Sequence, residues 1–511
     1  MLRLPETPPR RKMGAEITEM RGLWLGDGAQ AGDLADSEGI STRRWPCLSP
    51  RRARQRQEGY DGCTALTGWD RLIAVRGTDL LCAGEKVGTV SPGEKQFAVV
   101  NTRLVIWPDK LSLDLKTLRL SAMEARVECT GAEFETGSVK LSGCGDMTEL
   151  FSAGDGVSLS GCVKEEGNNK DFVIKQVTAD TITVTDKTFT KASESGALTI
   201  KRSVPDMDFI CESENRLWGC SSGAQTIYAS ALGDVNNFNV FQGVSTDSFA
   251  VAVGSQGDFT GCCRLGSSVL FFKQDTLHKI LGSYPAEYCM YSYVLEGLRA
   301  GCHKTMQVIN EVLFYMGAHG VYAYSGGSPS LVSAGFGQLE NVQGTAGSDG
   351  ERYYLSCADA SGDWRLLVYD TRAGLWVKED RLRCVDFARV GQGLYFLDGD
   401  GAVWLADSGE DDPGLEWSAQ YAPFYETAQG KKRHSRLILR LELPRGSYMR
   451  AEIRCDGGRW REVWRAYGTG QALLRAALPP ARCDRFELRL SGRGPFALLS
   501  MTRRFAVGSE V

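Results

Sequence analysis

"NRLWGCSSGAQTIYAS", residues 215–230, reads as two short strands, Arg216-Leu217-Trp218-Gly219 and Thr226-Ile227-Tyr228-Ala229, joined by a turn at Ser221-Ser222-Gly223. The same unit recurs along the chain. "DRLIAVRGTDLLCAG" (70–84) and "TRLVIWPDKLSLDL" (102–115) precede it. "SSVLFFKQDTLHKILG" (267–282), "NEVLFYMGAHGVYAYSG" (310–326), "ERYYLSCADASGDWRLLVYD" (351–370) and "QGLYFLDGDGAVWLADSG" (392–409) follow. With Leu217, Leu270, Leu313, Tyr354 and Leu394 as equivalent positions, the steps are 53, 43, 41 and 40 residues. A strand-built repeat of that period is the signature of β-propeller blades. One small antiparallel sheet cannot bury both faces, whereas blades stacked around an axis cover one another and leave only short edges. At roughly 40–45 residues per blade, the chain between about 40 and 410 holds six or seven.

The repeat is interrupted over 120–203. There "DFVIKQV" and "TITVTD" alternate strictly on either side of Thr178-Ala179-Asp180, which predicts a small β domain inserted into a propeller loop; the alternative is one over-long blade. From 411 onward, "RLILRLELPRGSYMRAEIRCDGGRWREVWRAY" and "RCDRFELRLSGRGPFALLSMTRRFAVGS" alternate with period two, with a hairpin turn at Asp456-Gly457-Gly458. The expected architecture is all-β: a six- or seven-bladed β-propeller with an inserted small β domain and a C-terminal β-sandwich. Its parts are a partly flexible segment (1–34), an arm and the first blades (35–119), the insert (120–203), the remaining blades (204–410) and the sandwich (411–511).

Composition narrows the function. The 511 residues are 42% hydrophobic and 24% charged, with a net charge of −4, which argues against a surface devoted to gripping nucleic acid. No apolar run approaches the ~20 residues of a membrane span, and no secretion signal is evident behind the basic N-terminus. The sixteen cysteines are scattered without a CxxC, and His278, His303, His319 and His434 lie far apart, so zinc-site spacing is absent and buried thiols are expected. No cofactor or metal is predicted.

Catalytic patterns are sparse. No G-x-S-x-G elbow occurs, and a non-enzymatic role is expected. A paired-carboxylate glycosidase would draw on residues such as Asp363, Asp398 and Asp400, but Asp398-Gly399-Asp400-Gly401 falls where a blade needs a hairpin turn. The recurrent aromatics, among them Trp218, Trp364, Trp376 and Trp404, are better explained as core packing than as a sugar platform. Arg43, Arg44, Arg51, Arg52, Arg54 and Arg56 form a basic cluster able to meet a partner or DNA phosphates, although such a run is more often a solvated arm.

Two stretches carry a family resemblance. One is "ADSEGISTRRWPCLSPRRAR" (35–54), with Trp45, Pro46, Leu48 and Pro50 at its centre. The other is "NRLWGCSSGAQTIYASALGDVNNF" (215–238), with Arg216, Leu217, Trp218, Tyr228, Asp234 and Phe238. Together they resemble the tail hub or nozzle β-propellers of tailed bacteriophages, also called packaged-DNA stabilisation proteins. The resemblance implies a structural virion protein, assembled in the host cytoplasm and carried in the tail. It also implies a ring of copies of this chain, a hexamer among the expected forms, below the portal and adaptor, with genomic DNA passing non-specifically through its channel. It makes Asn236-Asn237 a turn and packs Phe238 on a neighbouring blade, and the arm is expected to close the propeller. The competing readings are a glycan-binding or glycan-hydrolysing propeller and a cellular interaction scaffold. The WD dipeptide pattern and the kelch Gly-Gly repeat of such scaffolds are missing.

Overall fold

Two-residue turns set the architecture. Asn101-Thr102, Glu214-Asn215, Gly266-Ser267, Asn310-Glu311 and Gly391-Gln392 each join the first two strands of a sheet, with direct pairs such as Ser213↔Arg216 and Ile309↔Val312 flanking them. The first residue of every one of these turns has a positive φ, from 50° at Glu214 to 60° at Gly266 and Gly391. That is the backbone of tight hairpins whose twist matches the strands they connect. Asn and Gly tolerate it, and four of the five turns begin with one of them.

The computed structural model describes residues 12–185, 187–336, 343–359, 361–426 and 430–507. The chain is a β-propeller protein, and among the described residues seven four-stranded antiparallel sheets run in sequence order. They occupy 65–89, 96–122, 209–252, 261–294, 307–331, 344–380 and 384–405, the last completed by a strand from near the N-terminus. Leu217, Leu270, Leu313, Tyr354 and Leu394 all fall in the second strand of their sheets, and all are buried. Each such side chain contributes about 1.5–3 kcal/mol by leaving water. The long first step of 53 residues arises from the connection 230–248 between Thr226–Ala229 and Phe249–Ala252.

Two compact units divide the chain, Ala74–His303 and the remainder, Met1–Ile73 with Lys304–Val511; the division falls inside the 65–89 sheet. In the 74–303 unit, Gln96–Val100 packs on Phe209–Ser213, which packs in turn on Gly261–Leu265. Strands from Ala125 to Arg202 form a closed six-stranded barrel within the segment read as an insert, around Phe134, Leu141, Phe172, Ile182 and Ile200. "DFVIKQV" and "TITV" pair in it as a hairpin.

In the other unit, Gln307–Ile309, Gly344–Ser348, Cys384–Val390 and Ala65–Gly68 pack successively first strand to first strand. Gln55–Arg56 pairs with Val403–Leu405 and takes the outer position of the last sheet, the closing role expected of the arm. The C-terminal β-sandwich departs from the expected boundaries. One sheet runs Lys12–Ile17, Ala497–Val507, Lys432–Leu443, Gly470–Ala477, and the other begins with Leu34–Glu38 beside Glu416–Tyr421. The segment read as a partly flexible N-terminus therefore supplies an edge strand from Lys12 onward, and residues 1–11 lie outside the described residues. Physically, Lys12–Ile17 alternates exposed and half-buried side chains, the pattern of an edge strand with one covered face. Among the described residues the cysteines are thiols and not disulfides.

Candidate functional site

The hairpin sequence at 214–238 builds a joint. Arg216 is buried in the second strand, and its guanidinium donates to the carbonyls of Ser230 (2.8 Å), Ser245 (2.6 Å) and Asp247 (2.5 Å). It therefore holds the long connection 230–248 by carbonyl oxygens. Trp218 packs edge-on against Tyr288, and Leu217 and half-buried Tyr228 cover the preceding sheet's core. Asp234 accepts from the backbone of Asn236 (2.9 Å) and the side chain of Asn237 (2.6 Å), fixing the turn. Phe238 then enters the cluster of Val100, Val105, Trp107 and Ile210, so it packs on the neighbouring sheet as expected.

Asn237, which the sequence marks only as part of a turn, also ties this turn to the barrel. Its amide donates to Asp155 (2.9 Å) and its carbonyl accepts from the backbone of Gly156 (3.0 Å). Asp155 also accepts from the backbone of Ser152 and pairs with the buried guanidinium of Arg202, whose Nε reaches the Met123 carbonyl. Gly156 is required by close approach, since a Cβ there would lie 2.6 Å from the Asn239 carbonyl oxygen. The sequence signal for this joint was "GDVNN" itself, whose partners lie about eighty residues earlier.

The arginine cluster of the arm is held by acids of its own chain. Arg43 meets Asp407 (2.9 Å), Asp349 (3.3 Å) and the Tyr354 hydroxyl (3.0 Å). Arg54 meets Asp380 (2.7 Å) and buried Glu379 (3.6 Å), and Arg51 lies 3.6 Å from Asp412. Burial pushes the Glu379 carboxyl above its usual range against the pull of Arg54, Arg43 and Arg51. Arg44 pairs with Glu442 (2.8 Å), Arg56 with Asp61 (2.7 Å), and Arg52 reaches Asp407 only at 4.0 Å. Leu48 bridges to Leu498, Pro50 pairs with Ile40, the Pro46 carbonyl accepts from Met20, and Trp45 is exposed.

Of the three carboxylates offered for glycoside chemistry, Asp398 is spent on its hairpin: it accepts from the backbones of Asp400 and Ala402 and from the Trp404 indole (2.7 Å). Asp400 lies in that turn. Asp363 stands instead in a cleft of about 610 Å³ lined by Trp364, Arg365, Lys378, Arg381 and Arg383, with Leu23 and Phe336 as apolar wall. The cleft lies where the hairpin after Arg352–Ala358 and the connection after Leu375–Asp380 meet; alternating strand direction puts both at one end of that sheet. Among the described residues, no group of three or more His, Cys, Asp or Glu side chains is placed to hold a metal ion, and no helix is long and apolar enough to cross a membrane.

No protein-family model matches the chain, and no curated protein matches it. Among solved structures, the exo-β-1,3-galactanase of Phanerochaete chrysosporium aligns at 9% identity over 56% of this chain and 92% of its own, with a TM-score of 0.22. Hsv2 of Kluyveromyces lactis aligns at 9% over 72% and 95%, TM-score 0.24. A TolB-like protein of Agrobacterium tumefaciens aligns at 15% over 42% and 87%, TM-score 0.18. Likenesses this loose carry no argument about substrate or partner.

Proposed function

We propose that this chain is a structural, non-catalytic component of a tailed-phage virion, of the tail hub or nozzle type, forming a ring around the path of the DNA. One observation supports the reading. The two stretches that resemble that family are the ones on which the joints depend: 35–54 enters the sandwich and the arm's ion pairs, and 215–238 closes a blade and reaches the inserted barrel. A protein that bears load during DNA ejection gains from joints of this kind. The arm's arginines being engaged by their own chain suits a channel that lets phosphates slide, because unpaired cations would hold them. Portal and adaptor proteins are the expected neighbours. Light scattering on the purified protein, with negative-stain images of the same fraction, tests the proposal. Rings of uniform size with an open axis are expected; a monomer at every concentration removes the self-assembled ring.

A second reading, a glycan-binding propeller, is favoured by the cleft at Trp364, where an indole and an unpaired carboxylate, Asp363, face the same space. Sugars are bound by that combination of an apolar ring face and hydroxyl acceptors.

A further inference from the structure

The charges around the Trp364 cleft do not all cancel. Lys378 pairs with Asp36 (2.6 Å), Arg365 with Asp359 (2.6 Å), and Arg381 with Glu38 (3.4 Å). Two charged groups on the walls, Arg383 and Asp363, have no ion-pair partner among the described residues. Arg383 lies against an aromatic face. Its guanidinium lies over the Trp364 ring, 5.1 Å from the centroid, and its stem runs beside Gly399, where a Cβ would come 3.3 Å from Arg383 Cδ. The "DGDG" hairpin thus has a second role: Asp398 forms the turn and Gly399 leaves room for the arginine. A guanidinium over an indole has N–H donors to spare, and its N–H edge suits a carboxylate bidentately. Asp363 is held beside it by the hairpin, its backbone N–H donating to Asp359 (3.1 Å) while its own carboxylate is left open.

From this juxtaposition we infer that the cleft is a binding site for a saccharide bearing a carboxylate, such as a uronic or nonulosonic acid residue. The Arg383 edge receives the sugar carboxylate, Asp363 accepts from ring hydroxyls, and the wall at Leu23 and Phe336 covers the C–H face of the ring. The charge balance favours this class over a neutral sugar, which would leave Arg383 unmatched. It also favours it over a simple inorganic anion, which would leave Asp363 and the apolar wall without a role. The inference rests on the glycan-binding reading of the cleft and names its ligand class.

Saturation-transfer NMR and calorimetric titration on the full chain test it, with D-glucuronate, D-galacturonate and N-acetylneuraminate set against glucose, galactose, inorganic phosphate and an acidic peptide. The expected result is binding of one or more acidic sugars. Arg383→Gln should weaken it about tenfold or more, the loss of one charge-assisted contact, and Trp364→Phe should weaken it less. Arg383 is exposed, so Arg383→Gln should keep the wild-type melting temperature, and that control separates lost binding from lost folding. Equal binding of neutral sugars, unchanged in Arg383→Gln, would overturn the acidic class while leaving the glycan reading intact. Binding of phosphate or the peptide in place of any sugar, or of nothing at all, would overturn both.

Discussion

Asp155, in the 74–303 unit, is a buried charge at a joint, and Arg51 and Arg54, in the other, are partly buried ones; they are satisfied very differently. Asp155 receives the Ser152 backbone, the Asn237 amide and the Arg202 guanidinium, and Arg202 also donates to the carbonyls of Met123 and Leu150. Around Arg51 and Arg54 stand Glu379, Asp380 and Asp412, yet among the described residues Arg51 Nε and Arg54 Nε and Nη2 find no hydrogen-bond acceptor. The same contrast divides two buried histidines. His278 in the first unit has a serine hydroxyl on each ring nitrogen, Ser255 at 2.8 Å and Ser292 at 2.7 Å. His434, in the sandwich, is stacked 4.1 Å from Phe486, and neither nitrogen has a hydrogen-bond partner among the described residues. A buried charge or dipole helps only when its geometry is completed, so equal burial should not mean equal worth.

The sharpest test removes the completed site. Asp155→Ala should cost about 3–5 kcal/mol in urea unfolding, because Arg202 is left buried without a counter-charge; a loss below about 1 kcal/mol would erase the distinction drawn here.

Acid comes next. Burial holds both imidazoles neutral in the fold, lowering His278 and His434 from 6.5 to about 4, with Lys273 adding to the effect at His278 and Arg503 and Lys432 at His434. The unfolded chain therefore binds these protons first. Their contribution is whole above pH 6.5 and is lost as the pH falls towards 4, by about 3 kcal/mol for each histidine. Stability measured from pH 7 to 4 should show this fall. His434→Phe should remove one share of it and leave stability at pH 7 unchanged or raised, whereas His278→Phe should lower it by stranding two hydroxyls.

Arg54→Met should cost less than Asp155→Ala, about 1–2 kcal/mol, since Asp380 is a third exposed and Arg43 and Arg51 still face Glu379. A cost equal to that of Asp155→Ala would show that the incomplete network is worth as much as the complete one. Smallest of all, Arg56→Ala breaks an exposed pair with Asp61 and should change stability by less than about 1 kcal/mol, measurable as a shift in melting temperature.

Much of the fold was legible because it is local. A two-residue turn with Asn or Gly between β-rich runs dictates a hairpin wherever it occurs, and five equivalent residues chosen from the sequence all occupy second strands. The strict alternation of 171–184 likewise predicts its hairpin. The candidate cleft was far less legible. Asp363 reads as a carboxylate and Trp364 as packing, but nothing in "RLRCVD" shows that its third residue, Arg383, lies over an indole nineteen positions earlier. The Arg43–Arg56 run was visible as charge, while all but one of the acids that face it lie three hundred or more residues away.

What the sequence determined by itself is the run of hairpins, their order, and the interruption between them, since turn chemistry and side-chain period act within a few residues. Tertiary structure decided which distant groups complete one another: that Lys12–Ile17 and Leu34–Glu38 join the C-terminal sandwich, that Gln55–Arg56 completes the last sheet, and that Asn237 meets Asp155. Edge strands and buried polar groups accept many partners of the right chemistry, and only the packed chain selects among them.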